Sequence, residues 1–111
     1  MSTENDLSFH QREDVQITWT LSPVADITGW TLQFAVRQAV DGPVLILKST
    51  SSGITITDGP GGAFRLDLAD ADTIRIAPGL YLYDVARIDS GNHAVLSYGT
   101  LTLQEPMVPW A

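Results

Sequence analysis

One stretch, Asp72 to Arg87, restricts the fold more than any other part of the chain. It reads D-T-I-R-I-A-P-G-L-Y-L-Y-D-V-A-R. Pro78 fixes its own φ and Gly79 accepts the positive φ that ends many tight turns, so the pair marks a turn. Leu80, Tyr81, Leu82, Tyr83 and Val85 follow, large or β-branched residues of the kind a pleated, packed surface prefers. Strand side chains alternate, which puts Tyr81, Tyr83 and Val85 on one face and Leu80 and Leu82 on the other. With apolar residues on both faces, the segment predicts a central strand of a layered β domain.

The rest of the chain repeats the two-residue period. Val15, Ile17, Trp19 and Leu21 alternate with polar residues until Pro23, which lacks a ladder donor. Trp30, Leu32, Phe34 and Val36 form the clearest alternation, and Phe64, Leu66 and Leu68 form another. Shorter strands are expected at Leu7–His10, at Val44–Lys48 and around Ile54 and Ile56. A last long strand is expected over Ala94–Leu103, with Gly99 as a bulge candidate. Asp41-Gly42-Pro43, Asp58-Gly59-Pro60-Gly61-Gly62 and Asp89-Ser90-Gly91-Asn92 are turns. Ala69–Ile74 is expected to make one helical turn, with Asp70 as N-cap and Asp72 in the first turn.

This pattern predicts an all-β chain. The expected architecture is an immunoglobulin-like antiparallel β-sandwich of about seven or eight strands, with at most one short helical turn. Residues 1–6 are expected to be a disordered N-terminus, 7–105 the sandwich and 106–111 a C-terminal tail. Tyr81 follows a corner and is placed to bond back to it, as such sandwiches often do; an ordinary amphipathic strand residue is the alternative.

Composition narrows the function. A chain of 111 residues is long enough for one core and one domain. It has no cysteine, which removes disulfides and thiolate metal ligands. The net charge of −7 opposes binding to nucleic acid, and no Lys/Arg cluster offsets it. The first residues lack the basic and apolar regions of a secretory signal, and the longest aliphatic run, Val44–Leu47, is far too short to span a membrane. No nucleic acid, membrane or cofactor is expected, and the protein is expected to be made and kept soluble inside the cell.

Catalytic and metal-binding patterns are sparse. His10 and His93 are isolated, whereas zinc needs three or four ligands at suitable spacing. There is no G-x-S-x-G for a nucleophile. Asp70-Ala71-Asp72 lacks the glycine and closing glutamate of a calcium loop, and capping of a helical turn explains it. The glycine-rich run 58–62 precedes a strand, whereas a phosphate cradle needs a helix N-terminus. Trp19 and Trp30 read as core residues, with an exposed sugar-stacking pair as the competing reading. No catalytic residue, cofactor ligand or metal ligand is therefore assigned. Contact residues are. Val44 and Ile46 lie on a short aliphatic strand with the character of a sheet edge, although a strand buried on both faces reads the same way, and Met107, Val108 and Trp110 lie in a Pro-interrupted tail that either docks on a partner or folds back over its own sandwich.

Several stretches together resemble a known family. They are Arg12-Glu13-Asp14 before the strand Val15–Leu21; Asp26-Ile27-Thr28-Gly29-Trp30 leading to Val36-Arg37; Asp72-Thr73; Pro78-Gly79-Leu80-Tyr81-Leu82-Tyr83-Asp84-Val85; and Gly99-Thr100-Leu101-Thr102-Leu103 with Val108 beyond. The chain resembles the N-terminal immunoglobulin-like domain of phage baseplate upper proteins, and prophage tail proteins of similar length. That resemblance implies a non-enzymatic virion structural protein, a tail or baseplate adaptor. Its partners would be other phage structural proteins or further copies of itself. It would reside in the bacterial cytoplasm during assembly and then in the virion tail. Where the family often carries a basic residue after the final turn, this chain reads Pro109-Trp110-Ala111, which favours an adaptor over a receptor binder. A carbohydrate-binding sandwich using exposed aromatics is the alternative.

Overall fold

The computed structural model describes residues 3–21 and 26–105. The strands are β1 (Thr3–Glu4), β2 (Leu7–His10), β3 (Val15–Thr20), β4 (Leu32–Arg37), β5 (Val44–Thr50), β6 (Gly53–Asp58), β7 (Ala63–Leu68), β8 (Gly79–Arg87) and β9 (Ala94–Gln104). One helical turn, α1 (Asp70–Thr73), joins β7 to β8. Strand order is β1-β9-β8-β4-β5-β6-β7-β3, with β2 also on β9. β5 and β6 share only the pairs Ser49–Gly53 and Thr50–Ile54. There the chain turns a corner through Ser51 at φ 71° and the ladder folds into two layers. Trp19 of β3 lies 6.4 Å from Phe34 of β4 and 6.5 Å from Tyr83 of β8, so the two layers face each other.

The molecule is an immunoglobulin-like antiparallel β-sandwich whose first two strands pair parallel with the last. β8 is central, between β9 and β4, as its two-sided apolar pattern predicts. Its inner residues Tyr81, Tyr83 and Val85 are buried, as are Leu32, Phe34 and Val36 of β4 and Phe64, Leu66 and Leu68 of β7. Trp19 stacks on Phe64 at 5.5 Å, an aromatic contact at the middle of the core. The Tyr81 hydroxyl donates to the carbonyl of Ala77, four residues earlier, and so closes the corner before β8.

Four local expectations are corrected. Trp30 follows the turn at Thr28-Gly29 and precedes β4; it packs against the core but is only half-buried, with the Arg87 guanidinium 4.1 Å above its ring. Ala69, not Asp70, is the N-cap residue of α1. Asp72 accepts the Ala69 N–H at 2.7 Å, and Asp14 accepts the Asp70 N–H at 2.9 Å. The bulge in β9 is at Leu96, because Val85 faces Ser97 while Ala86 faces Val95.

The fourth correction concerns residues 3–6 of the expected disordered terminus, residues 1–2 lying outside the described residues. Thr3–Glu4 pairs with β9, and the Asn5 N–H donates to the Tyr98 carbonyl at 2.8 Å. Asp6 then accepts the Thr100 N–H and hydroxyl at 3.2 and 2.9 Å, while the Tyr83 hydroxyl donates to the Asn5 carbonyl at 2.5 Å. Gly99 makes this close approach possible, since a Cβ there would collide with the Asn5 carbonyl.

Arg87 is held over Trp30 by Asp89, whose carboxylate accepts Arg87 Nε at 2.8 Å and the Thr31 N–H at 2.9 Å. Those bonds, with Arg87 the larger influence, lower the Asp89 pKa from its ordinary 3.8 to about 2. A depressed acid stabilises the fold above its unfolded pKa, and that contribution disappears as pH falls through the folded value. Asp89→Asn should therefore lower the melting temperature at neutral pH, and most of that deficit should vanish by about pH 2. Equal deficits at both pH values in a thermal melt would contradict this.

Candidate interaction surface

The outer face of the larger sheet is open to solvent. β5 forms its margin, and a bulge decides which side chains it shows. Val36 faces Ile46 and Arg37 faces Val44, leaving Leu45 as the extra residue. Such a bulge interrupts strict alternation, and both Val44 and Leu45 are exposed, at 41% and 40%. Leu47 is 55% exposed. Ile46 points into the core and is 5% exposed, so its assignment as a contact residue is corrected: its side chain packs the sandwich. Leu45 and Leu47, on either side of it, are exposed instead. Their exposure was readable from the alternation once Ile46 was taken as an inward residue. Met107, Val108 and Trp110 lie outside the described residues.

The aliphatic strip continues across the sheet. Leu47 is opposite Ala35, and Arg37 is opposite Leu82 on β8. Arg37 braces the β4–β5 hairpin by donating to the carbonyls of Val40 and Gly42 at 3.4 and 3.2 Å. Val40, at the tip, is 83% exposed. Beyond the strip the face sinks into an open concavity of about 630 Å³, bordered by Glu4, Arg37, Leu82, Asp84 and Tyr98. Val44, Leu45 and Leu47 thus lie on the β5 side, while Glu4 and Asp84 lie on the β8–β1 side beside Leu82 and Tyr98.

The carboxylates around Lys48 have structural partners. A second depression brings Asp14, Asp67 and Asp72 near Lys48. Asp72 meets Lys48 at 2.9 Å and caps α1, Asp14 caps it from the other side, and Asp67 meets Arg65 at 3.1 Å. Among the described residues no three His, Asp or Glu side chains gather to hold a metal. The run 58–62 is a turn closed by Gly61 N–H to Asp58 at 3.1 Å, and β7 follows it. Trp19 is buried, and Trp30 is covered on one face by Arg87. Among the described residues no helix is long and apolar enough to cross a membrane.

Fold and surface together define an immunoglobulin-like sandwich with an exposed aliphatic sheet margin. No protein-family model matches the chain, and no curated protein matches it. Among solved structures it is similar to the extracellular domain of the voltage-gated sodium channel beta4 subunit. That chain is 13% identical, with 96% of this chain and 93% of that one covered and a TM-score of 0.38; its structures are described as parallel homodimers that explain a role in cell–cell adhesion.

Proposed function

We propose that this protein is a non-enzymatic structural component of a phage or prophage tail, a baseplate adaptor that works by protein–protein contact. The observation that carries the reading is the exposed strip of Val44, Leu45, Leu47 and Val40 on a sheet with no covering layer among the described residues. Contiguous apolar surface rimmed by polar residues marks interaction sites. The resemblance in turn and core motifs supplies the phage context. The carboxylates near Lys48 are occupied in capping and ion pairing, which supports a role without catalysis. An exposed coplanar Trp19–Trp30 pair, which would favour sugar stacking, is not formed, because Trp19 is buried.

The protein is made in the bacterial cytoplasm and then incorporated into the tail. Tail particles purified from a host carrying the gene should contain it at a fixed copy number by quantitative mass spectrometry. Leu47→Asp should cut incorporation at least tenfold while leaving the fold intact, because a charge at the margin must be desolvated on docking. Particles that lack the wild-type protein would overturn the reading.

A further inference from the structure

Strand edges offer unpaired N–H and C=O groups, and folded proteins blunt them with bulges, charges or short strands. Three margins of this sandwich are blunted. β5 carries the Leu45 bulge, and beyond it Ser49 and Ser52 bond each other reciprocally at 3.1 and 2.8 Å. β6 shifts register between Ile56 and Asp58. β1 and β2 are short and interrupted at Asn5–Asp6.

β3 is different. It pairs with β7 in unbroken register, from Val15–Leu68 to Thr20–Ala63, and ends its sheet with no strand on its other side among the described residues. It contains no charged residue, no proline and no glycine. The Leu21 N–H donates to the Gly62 carbonyl at 3.0 Å, which fixes the phase of the ladder. Val15, Ile17 and Trp19 therefore bond β7, while Gln16, Thr18 and Thr20 turn their backbone groups to the open side. The inner face is also incomplete. Val15 and Ile17 are only half-buried, although Leu68 and Leu66 opposite them are buried.

We propose that a second copy of this chain pairs with β3, antiparallel, across a two-fold axis at Thr18. This rests on the reading of the protein as one that works by contact, and it names one partner. The dyad sets Gln16 opposite the copy's Thr20, Thr18 opposite the copy's Thr18, and Thr20 opposite the copy's Gln16. Every residue with free backbone groups then meets another of the same kind, and each pair exchanges two hydrogen bonds. Threonine pairs across strands are favourable. Copies of a chain with net charge −7 repel over most of their surface. This edge is exempt: β3 is uncharged, and Arg65 and Asp67 beside it on β7 neutralise each other at 3.1 Å. Each copy's Val15 and Ile17 gain cover from the other. The contact is small, in the class of weak interfaces, and gains strength where copies repeat in a particle.

Sedimentation velocity from about 1 µM to about 1 mM tests the pairing. The full chain should pass from monomer to dimer. Thr18→Lys places two like charges opposite each other, and Thr18→Pro removes an N–H that β7 does not use. Each should raise the dimer dissociation constant at least tenfold, and Thr18→Lys should leave the melting temperature unchanged. In this cysteine-free chain, Thr18→Cys should form a covalent dimer on mild oxidation, since paired positions of this type lie about 5.5 Å apart at Cα. A monomer at every concentration, a dimer indifferent to Thr18→Lys, or no cross-link through Cys at 18 overturns the proposal. So does a dimer that forms only when residues 106–111 are deleted, because the edge is then covered by the chain's own tail. A monomer still found in particles overturns this pairing alone. A β3 dimer absent from particles overturns only the tail reading.

Discussion

Phe34→Ala is expected to lower the unfolding free energy by about 3–5 kcal/mol, the usual cost of deleting a large buried aromatic. Phe34 has no exposed surface and lies where the two layers meet. Its ring sits 6.4 Å from Trp19 and 5.8 Å from Tyr83, so one truncation removes contacts to β3 and β8 together. The neighbours belong to hydrogen-bonded strands and cannot collapse far into the gap, which keeps the cavity cost high. Chemical denaturation of the two proteins measures the difference. A loss below about 1 kcal/mol, typical of surface substitutions, would mean that the layers do not pack through this ring.

Gly99→Val is expected to cost about 1–3 kcal/mol, the range for forcing extra atoms into a packed site. The obstacle is the Asn5 carbonyl, a backbone group fixed by its own neighbours: Asn5 N–H on Tyr98, and Asp6 on Thr100. The added side chain must push residues 3–6 off β9. The loss should therefore appear together with fast amide exchange and early proteolysis at the N-terminus. Unchanged stability, with residues 3–6 still protected, would show that they do not cross β9 here.

The strands were legible because burial writes a two-residue period into the sequence. Phe64, Leu66 and Leu68 carry that period plainly, and so do Tyr81, Tyr83 and Val85. Tyr81 could be marked as a corner residue from its place after Pro78-Gly79, although only the structure separates that role from ordinary amphipathicity. Trp30 shows where the pattern misleads. It is in phase with Leu32, but Gly29 turns the chain beside it and β4 starts later, so Arg87 covers a ring that the alternation would bury. The phase of β5 was lost for another reason. A bulge opposite Arg37 is a property of two strands, and nothing in Val44–Lys48 alone announces it.

The most consequential feature was the least legible. Among the described residues β3 is open because β1 and β2 pair with β9 and leave its far side without a strand. That choice depends on Gly99, Asp6 and Tyr83, distant residues whose joint role is invisible along the chain. The open margins therefore had to be read from the fold, while the core could be read from the sequence.

Hydrogen exchange read by mass spectrometry, on the free protein and on purified tail particles, tests the claim that this sandwich works through its margins. Peptides covering Val15–Thr20 and Val44–Lys48 should exchange faster in the dilute protein than in particles. Those covering Phe64–Leu68 and Tyr81–Val85 should be slow in both. Exchange at Val15–Thr20 and Val44–Lys48 that is the same in particles as in dilute solution would contradict the account.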